Sequence, residues 1–282
     1  MSKIPSLMDM LKAGVHFGHQ RSRWHPKMKP FIFGVRNGVH VIDLDKTQEE
    51  LAKALAYVKN LAAHGKIILF VGTKRQARDL IKAAAERCGM PYIVERWIGG
   101  LLTNFDEFKR RLKKYKHLQE MIATGEIEKY VKKEQVKMKK QLAKMDKYLR
   151  GLVSLERLPD ALYVSDVRVE KTAVTEARRR HVPMVAVCDS NVNPLQIDYP
   201  IPANDDAVKA IQLVADLVAD AIVEGTMEFE KNKAALEADR VVVSKETETA
   251  ESVKPLVKMT KQIVTEVPAK QAIRALRKEE VV

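Results

Sequence analysis

The chain is poor in the residues that most often carry covalent staples or chemistry. Only 2 of its 282 residues are cysteines. Cys88 and Cys188 stand far apart and outside any CxxC spacing, which argues against a disulfide framework or a cysteine zinc site and suits a reducing compartment. No run approaches the roughly 20 apolar residues of a membrane-spanning helix. Met1–Leu11 is too short and too polar for a secretory signal. A soluble, cytoplasmic protein with no membrane partner is therefore expected. Nucleotide fingerprints are missing too, with neither GxGxxG nor a Walker loop present. No HxxxH pair or Cys/His cluster points to a metal, and no Ser/His/Asp or Cys/His set can be assembled from spacing. Aromatics make up only 6% of the chain, so the place where they gather is informative.

Positive charge is what the chain has in excess. Lysine and arginine number 50 against 37 aspartates and glutamates, a formal net charge of +13. The excess lies in the first half. Residues 105–150 alone hold 15 cations and 7 acids, whereas residues 151–240 hold 10 cations and 16 acids. Such asymmetry predicts one face turned to a polyanion and another left for water or protein. With 46% apolar residues, the chain can also bury a sizeable core.

The most concentrated signal is AGVHFGHQRSRWHPKMKPFIFGVRNGVHVIDLD, residues 13–45. Arg21, Arg23, Lys27, Lys29 and Arg36 are charged, and His16, His19, His25 and His40 can be. No acid occurs in this stretch before Asp43. Phe17, Trp24, Pro26, Pro30, Phe31 and Phe33 interleave with the cations, and such rigid residues argue for an ordered segment rather than a floppy tail. A one-sign run of this length fits a phosphate backbone better than an enzyme pocket. A solvated loop is the plain alternative.

Strand and helix signals alternate along the rest. Val39–Leu44 is a short β-branched run, followed by a helix predicted to start at Thr47, with Glu50 completing a capping box. Leu51, Leu55, Val58 and Leu61 continue that helix, and Gly65 stops it. Lys66–Val71 is a continuous apolar run of the kind buried on both faces of a parallel sheet. A second capping box, Thr73 with Gln76, is predicted to open the next helix. Pro91–Glu95, Ala161–Ser165 and Met184–Cys188 read as further strands and Val169–Arg180 as helical. Asn204 is expected to cap a last core helix, Asp205–Val223, with Ile211, Val214, Val218 and Ile222 inward. This alternation predicts an α/β protein: a parallel sheet with right-handed crossovers and helices on both faces.

Residues 105–150 break the rhythm. Phe105, Phe108, Leu112, Tyr115, Leu118 and Ile122 step by three and four, as do Met138, Leu142, Met145, Leu149 and Leu152. The spacing predicts an inserted antiparallel coiled-coil helical hairpin, either touching RNA or simply solvated. The expected domains are residues 1–104 with 151–228 as the globular α/β/α part, 105–150 as the hairpin, and 229–282 as a mobile C-terminal extension with a short helical stretch at Val264–Arg277.

Three shorter features bear on chemistry. FVGTKRQA, residues 70–77, places a glycine turn, a hydroxyl, Lys74 and Arg75 at a strand-to-helix junction, where free amides suit a phosphate. Residues 96–104, RWIGGLLTN, set Arg96 and Trp97 beside two glycines, which fits stacking with close backbone approach, or a hinge into the hairpin. Asp189, Asp198, Asp205 and Asp206 fall at or after predicted strand ends, where α/β folds place ligands. Helix-dipole and turn roles explain these acids more simply.

Three strings together go further: residues 13–47; FVGTKRQA with RWIGGLLTNF; and LPDALYVSD followed by PMVAVCDSNVNPLQIDYPIPANDDAVKAI. In that order, over about residues 5–225, the chain resembles the bacterial ribosomal protein S2 family of the small subunit. The resemblance implies a flavodoxin-like fold with a protruding coiled-coil hairpin. It implies a structural, non-enzymatic role on the cytoplasmic bacterial ribosome, without homo-oligomer formation. The implied partners are 16S rRNA and neighbouring small-subunit proteins, among them the large mRNA-binding one, which such a protein helps to dock. The RNA-facing residues it implies are Arg21, Arg23, Trp24, His25, Lys27, Lys29 and Arg36, then Lys74, Arg75 and Arg96. No cofactor is implied; Mg²⁺ would enter only with the rRNA or at Asp189, Asp205 and Asp206. Two departures stand out. Val167 replaces a common proline, and Asp189-Ser190-Asn191-Val192-Asn193-Pro194 stands for Asp-Thr-Asn-Cys-Asp-Pro, turning one carboxylate into an amide. The competing readings are a nucleotide-dependent enzyme on the same sheet and a free RNA-binding regulator.

Overall fold

The computed structural model describes residues 4–233. The extension expected beyond them, including the helical stretch at 264–277, lies outside the described residues. Met1–Phe229 form one compact unit; of the other, Glu230–Val282, residues 230–233 are described, as helix.

The chain begins with α1 (Leu7–Ala13), β1 (Phe17–Gln20), β2 (Ile32–Arg36) and β3 (Val39–Ile42). Then come α2 (Leu44–Ala63), β4 (Ile68–Val71), α3 (Arg78–Arg87) and β5 (Tyr92–Ile93). Two long helices, α4 (Phe105–Ala123) and α5 (Lys132–Leu149), precede β6 (Ala161–Val164). After these follow α6 (Lys171–Arg179), β7 (Met184–Cys188), β8 (Tyr199–Pro202) and a helix over residues 208–229, α7.

Strands β4 to β8 form one parallel sheet in the order β5-β4-β6-β7-β8. Successive side chains of a strand point to opposite faces. Ile68, Phe70, Tyr163, Val185 and Val187 accordingly pack with Leu51 and Val58 of α2, Ile81 of α3 and Val214 and Val218 of α7. Their neighbours Leu69, Val71, Leu162, Val164 and Ala186 pack on the other face with Ala173 and Ala177 of α6 and Phe105 and Phe108 of α4. Both faces exclude water, which is why these strands read as unbroken apolar runs. The expected α/β architecture is the one found.

Buried within this sheet, the Tyr163 hydroxyl has no hydrogen-bond partner among the described residues, and burial pushes its ionisation well above the ordinary tyrosine value. A desolvated, unpaired hydroxyl costs about 1–3 kcal/mol. Tyr163→Phe should therefore raise the denaturant midpoint of the full chain, with the slope unchanged.

Four local expectations need correction. Val39–Ile42 does not join the parallel sheet: it is the middle strand of a separate antiparallel sheet, β1-β3-β2. The predicted start of α2 at Thr47 lies too late. Asp43 is the cap, accepting from the Asp45 N–H at 3.1 Å, and the buried Thr47 hydroxyl instead donates to the Pro202 carbonyl at 2.6 Å. The Thr73–Gln76 box does not open α3 either. A turn intervenes before Arg78, and the Thr73 N–H is taken by Glu170 at 2.7 Å. Asn204 does gather the amides of Asp206 and Ala207, at 2.8 and 3.2 Å, but helical turns begin at residue 208 and run beyond Val223.

Candidate nucleic-acid interface

The basic-aromatic run folds as the small antiparallel sheet with two 3-10 turns in its loop, Arg21–Arg23 and Pro26–Phe31. Asn37 and Gly38, both at positive φ (53° and 77°), make the tight turn between β2 and β3. That is the backbone a two-residue hairpin needs, and Asn-Gly supplies it at low cost. The Arg21 N–H bonds the Gly38 carbonyl at 2.9 Å, so the loop is fastened to the hairpin tip. His25 accepts from the Lys27 N–H at 3.1 Å through Nδ1, which leaves its Nε2 as the outward donor. Trp24, half-buried, lies against His40 with ring centroids 5.2 Å apart.

Arg21, Arg23, Lys27, Lys29 and Arg36 are all exposed, and among the described residues none lies within ion-pair distance of a carboxylate. Several surface cations elsewhere are paired: Lys53 with Glu50 at 2.7 Å, Lys59 with Glu228 at 2.7 Å, Arg87 with Asp220 at 3.1 Å. Five ordered, unpaired cations on one short segment raise the local positive potential with no internal anion to cancel it.

Beside them lies an apolar surface. Phe33 is 81% exposed, and Phe17, Val35, Leu11 and Met8 are exposed as well. Leu11, Phe17, Phe33, Val35 and Val41 line a groove of about 760 Å³ along the sheet and α1.

The loops after β6, β7 and β8 gather carboxylates around two cations. Lys74 Nζ lies 3.0 Å from Asp166, 2.8 Å from Asp205 and 2.7 Å from Asp206. Burial disfavours its charge, but the hydrogen bonds it donates to Asp205 and Asp206 outweigh that and raise its pKa. Lys74 is thus the internal counter-ion of these acids rather than a free phosphate contact. Asp205 is pushed up to about 7 by burial and by the neighbouring Asp166 and Asp189, against the opposing pull of Lys74. His19, Asp205 and Asp206 bring ligand atoms within 4.8 Å of one another, a set that would suit a hard cation, but the lysine ammonium already supplies positive charge there.

His19 joins this cluster to the basic sheet. Its Nδ1 is 3.0 Å from Asp189 and its Nε2 3.6 Å from Asp206, while its backbone N–H donates to the Ser190 hydroxyl at 2.8 Å. The Ser190 carbonyl accepts from the His25 N–H at 2.8 Å. A Cβ on Gly18 would come within 2.9 Å of that same hydroxyl, so only glycine fits. The hydrogen bond to Asp189 raises the His19 pKa against burial. This clamp is complete below the ordinary histidine value and is lost as pH rises through the raised one. As pH rises above the ordinary histidine value, the thermal midpoint should fall more steeply for the native chain than for His19→Gln; parallel curves would remove the clamp.

Trp97 does not offer a stacking plane. It is buried, its indole N–H donates to Glu176 at 3.0 Å, and the same carboxylate accepts from the amides of Gly100, Leu102 and Thr103 at 2.8, 3.1 and 3.3 Å. Burial pushes the Glu176 pKa up, yet these donors outweigh it and hold it below the usual carboxylate value. Glu176 shapes the loop that leads into α4. Arg75 and Arg96 are exposed. Asn193 accepts from the Leu195 N–H at 3.1 Å in a turn.

A model of the family Ribosomal protein S2 matches residues 10–225. The chain belongs to that family. It is 51% identical over 222 residues to the small ribosomal subunit protein uS2 of Coprothermobacter proteolyticus, covering 79% of this chain and 83% of the relative. The matched span takes in the basic sheet, both long helices and the parallel sheet. This is a family of ribosomal proteins, not of enzymes, so the nucleotide-dependent enzyme falls away.

Sequence reasoning missed Glu176, Ser190 and the clamp by His19. Glu176 binds mostly backbone amides, which leave no pattern among side chains. The Asn37-Gly38 pair was a readable hairpin signal.

Proposed function

We propose that this protein is a structural constituent of the small ribosomal subunit, acts in translation in the cytoplasm, and binds 16S rRNA through the basic loop of its N-terminal sheet. The observation that carries this is the set of five ordered, unpaired cations: Arg21, Arg23, Lys27, Lys29 and Arg36. Phosphate contacts by such side chains give affinity with little base preference and steep salt dependence. Trp24 and His25 add a ring face and an outward N–H, and Arg75 and Arg96 are further exposed cations outside that loop. Lys74 acts from behind, neutralising the acids on which the sheet is clamped.

The sheet order, which reads 2-1-3-4-5 along the parallel strands, supports a flavodoxin-like winding. The buried seam of α4 (Phe108, Leu112, Tyr115, Leu118) and the 2.6 Å bond from Tyr115 to Asp146 of α5 support an antiparallel coiled-coil hairpin. The apolar groove at Phe33 is the surface for a neighbouring protein, the large mRNA-binding one, because its aliphatic wall of Leu11, Val35 and Val41 offers neither charge to a phosphate nor a ring to a base.

Sedimentation of the purified chain with small subunits lacking it tests the reading. Co-sedimentation that weakens with salt is expected; failure to sediment at low salt overturns it. In the same assay Phe33→Glu should retain the chain on the subunit and lose the mRNA-binding protein. Unchanged recruitment of that protein would remove the groove from this role.

A further inference from the structure

A second basic feature lies away from the N-terminal sheet, where the loop after β5 meets the base of the long helices. There a cavity of about 440 Å³ is bordered by Arg96, Arg111, Lys144, Met145 and Tyr148. Its size falls within the range of small-ligand pockets. Among the described residues no acid borders it, whereas the neighbouring cavity that shares Arg96 includes Asp79, Glu95 and Asp146. Arg96 and Lys144 are exposed and have no carboxylate within ion-pair distance among the described residues; Arg111 is 3.5 Å from Glu107. Tyr148, 39% exposed, supplies an aromatic ring, and Met145 with Ile98 an apolar floor. One wall is rigid, because Trp97 is tied to Glu176 at 3.0 Å.

Three cations around an aromatic ring and an apolar floor match a phosphate joined to a flat base. A duplex cannot insert a paired base into a cavity, but an unpaired nucleotide can, and RNA-binding proteins commonly take such bases against aromatic rings. We propose that this cleft binds a single unpaired nucleotide of the RNA, its base on Tyr148 and its phosphate among Arg96, Lys144 and Arg111. The proposal rests on the RNA-binding reading above and gives the hairpin base a contact of its own.

The test uses the full-length protein and a single-stranded oligonucleotide containing 4-thiouridine, irradiated and mapped by mass spectrometry. Cross-links are expected at Tyr148 or Met145. In an Arg96→Ala, Lys144→Ala double variant these should fall at least tenfold, while cross-links within residues 21–29 persist. Both replaced side chains are exposed, so the fold is retained. Cross-links confined to residues 21–29, or cleft cross-links indifferent to the double variant, overturn the proposal and leave the RNA-binding reading standing. No cross-links anywhere overturn both. Labelling of the cleft by azido-adenosine monophosphate, with none from the oligonucleotide, would assign the site to a free nucleotide instead.

Discussion

Changing Arg21, Arg23, Lys27 and Lys29 together to alanine should abolish most of the binding to 16S rRNA at moderate salt without altering circular dichroism. Each phosphate neutralised by a cation contributes about 0.7–0.9 to the slope of log affinity against log salt. Removing four such contacts should flatten the slope by about 3. All four side chains are exposed and none holds a carboxylate among the described residues, so their loss removes no internal ion pair. The backbone bonds that order the segment, from Arg21 to Gly38 and from His25 to Ser190, do not involve those side chains. Filter binding across a salt series measures the effect directly. An unchanged slope would mean that the RNA is held elsewhere.

The second large effect is expected at Glu176. Its replacement by alanine leaves the Trp97 indole and the Leu102 amide, both buried, without an acceptor, along with the amides of Gly100 and Thr103. Each buried donor left unpaired costs about 1–3 kcal/mol, so a loss of roughly 3–5 kcal/mol is expected. That is a large part of the stability of an ordinary domain. The pH dependence has a defined sign. Because the folded-state pKa of Glu176 is lowered, its contribution is complete above the ordinary carboxylate range and disappears as pH falls through the lowered value. Acid unfolding of Glu176→Gln should show a shallower decline than the native chain, from a lower starting stability. Equal acid limbs would show that the carboxylate charge does not hold this loop.

The parallel sheet was legible because both of its faces are covered. Ile68–Val71, Ala161–Val164 and Met184–Cys188 are apolar at every position, and each is buried throughout. The long helices were legible for a related reason: Phe105, Phe108, Leu112, Tyr115 and Leu118 recur at helical spacing and all are buried. The N-terminal sheet was not. Phe33 and Val35 face outward and Arg36 is exposed, so β2 shows no inward apolar alternation to read. Helix starts were misplaced where a nearer carboxylate took the cap, as Asp43 does ahead of Thr47.

In the candidate site, the identities of the exposed cations were readable from charge pattern and resemblance, but their partners were not. Lys74 looked like Arg75 in the sequence. In the fold it points into Asp166, Asp205 and Asp206, which come from positions 92 to 132 residues away. Trp97 looked like Trp24, yet its indole N–H is taken by a glutamate 79 residues further along the chain. Contacts this distant are set by the winding of the sheet and have no local signature.

The central claim is that the basic loop of the N-terminal sheet lies on RNA phosphates. Amine acylation of the full chain, free and bound to 16S rRNA, followed by mass spectrometry of the modified lysines, tests it most directly. Lys27 and Lys29 should react in the free protein and be protected in the complex, while Lys74, held among its carboxylates, changes little. Equal reactivity of Lys27 and Lys29 in both states would contradict the account.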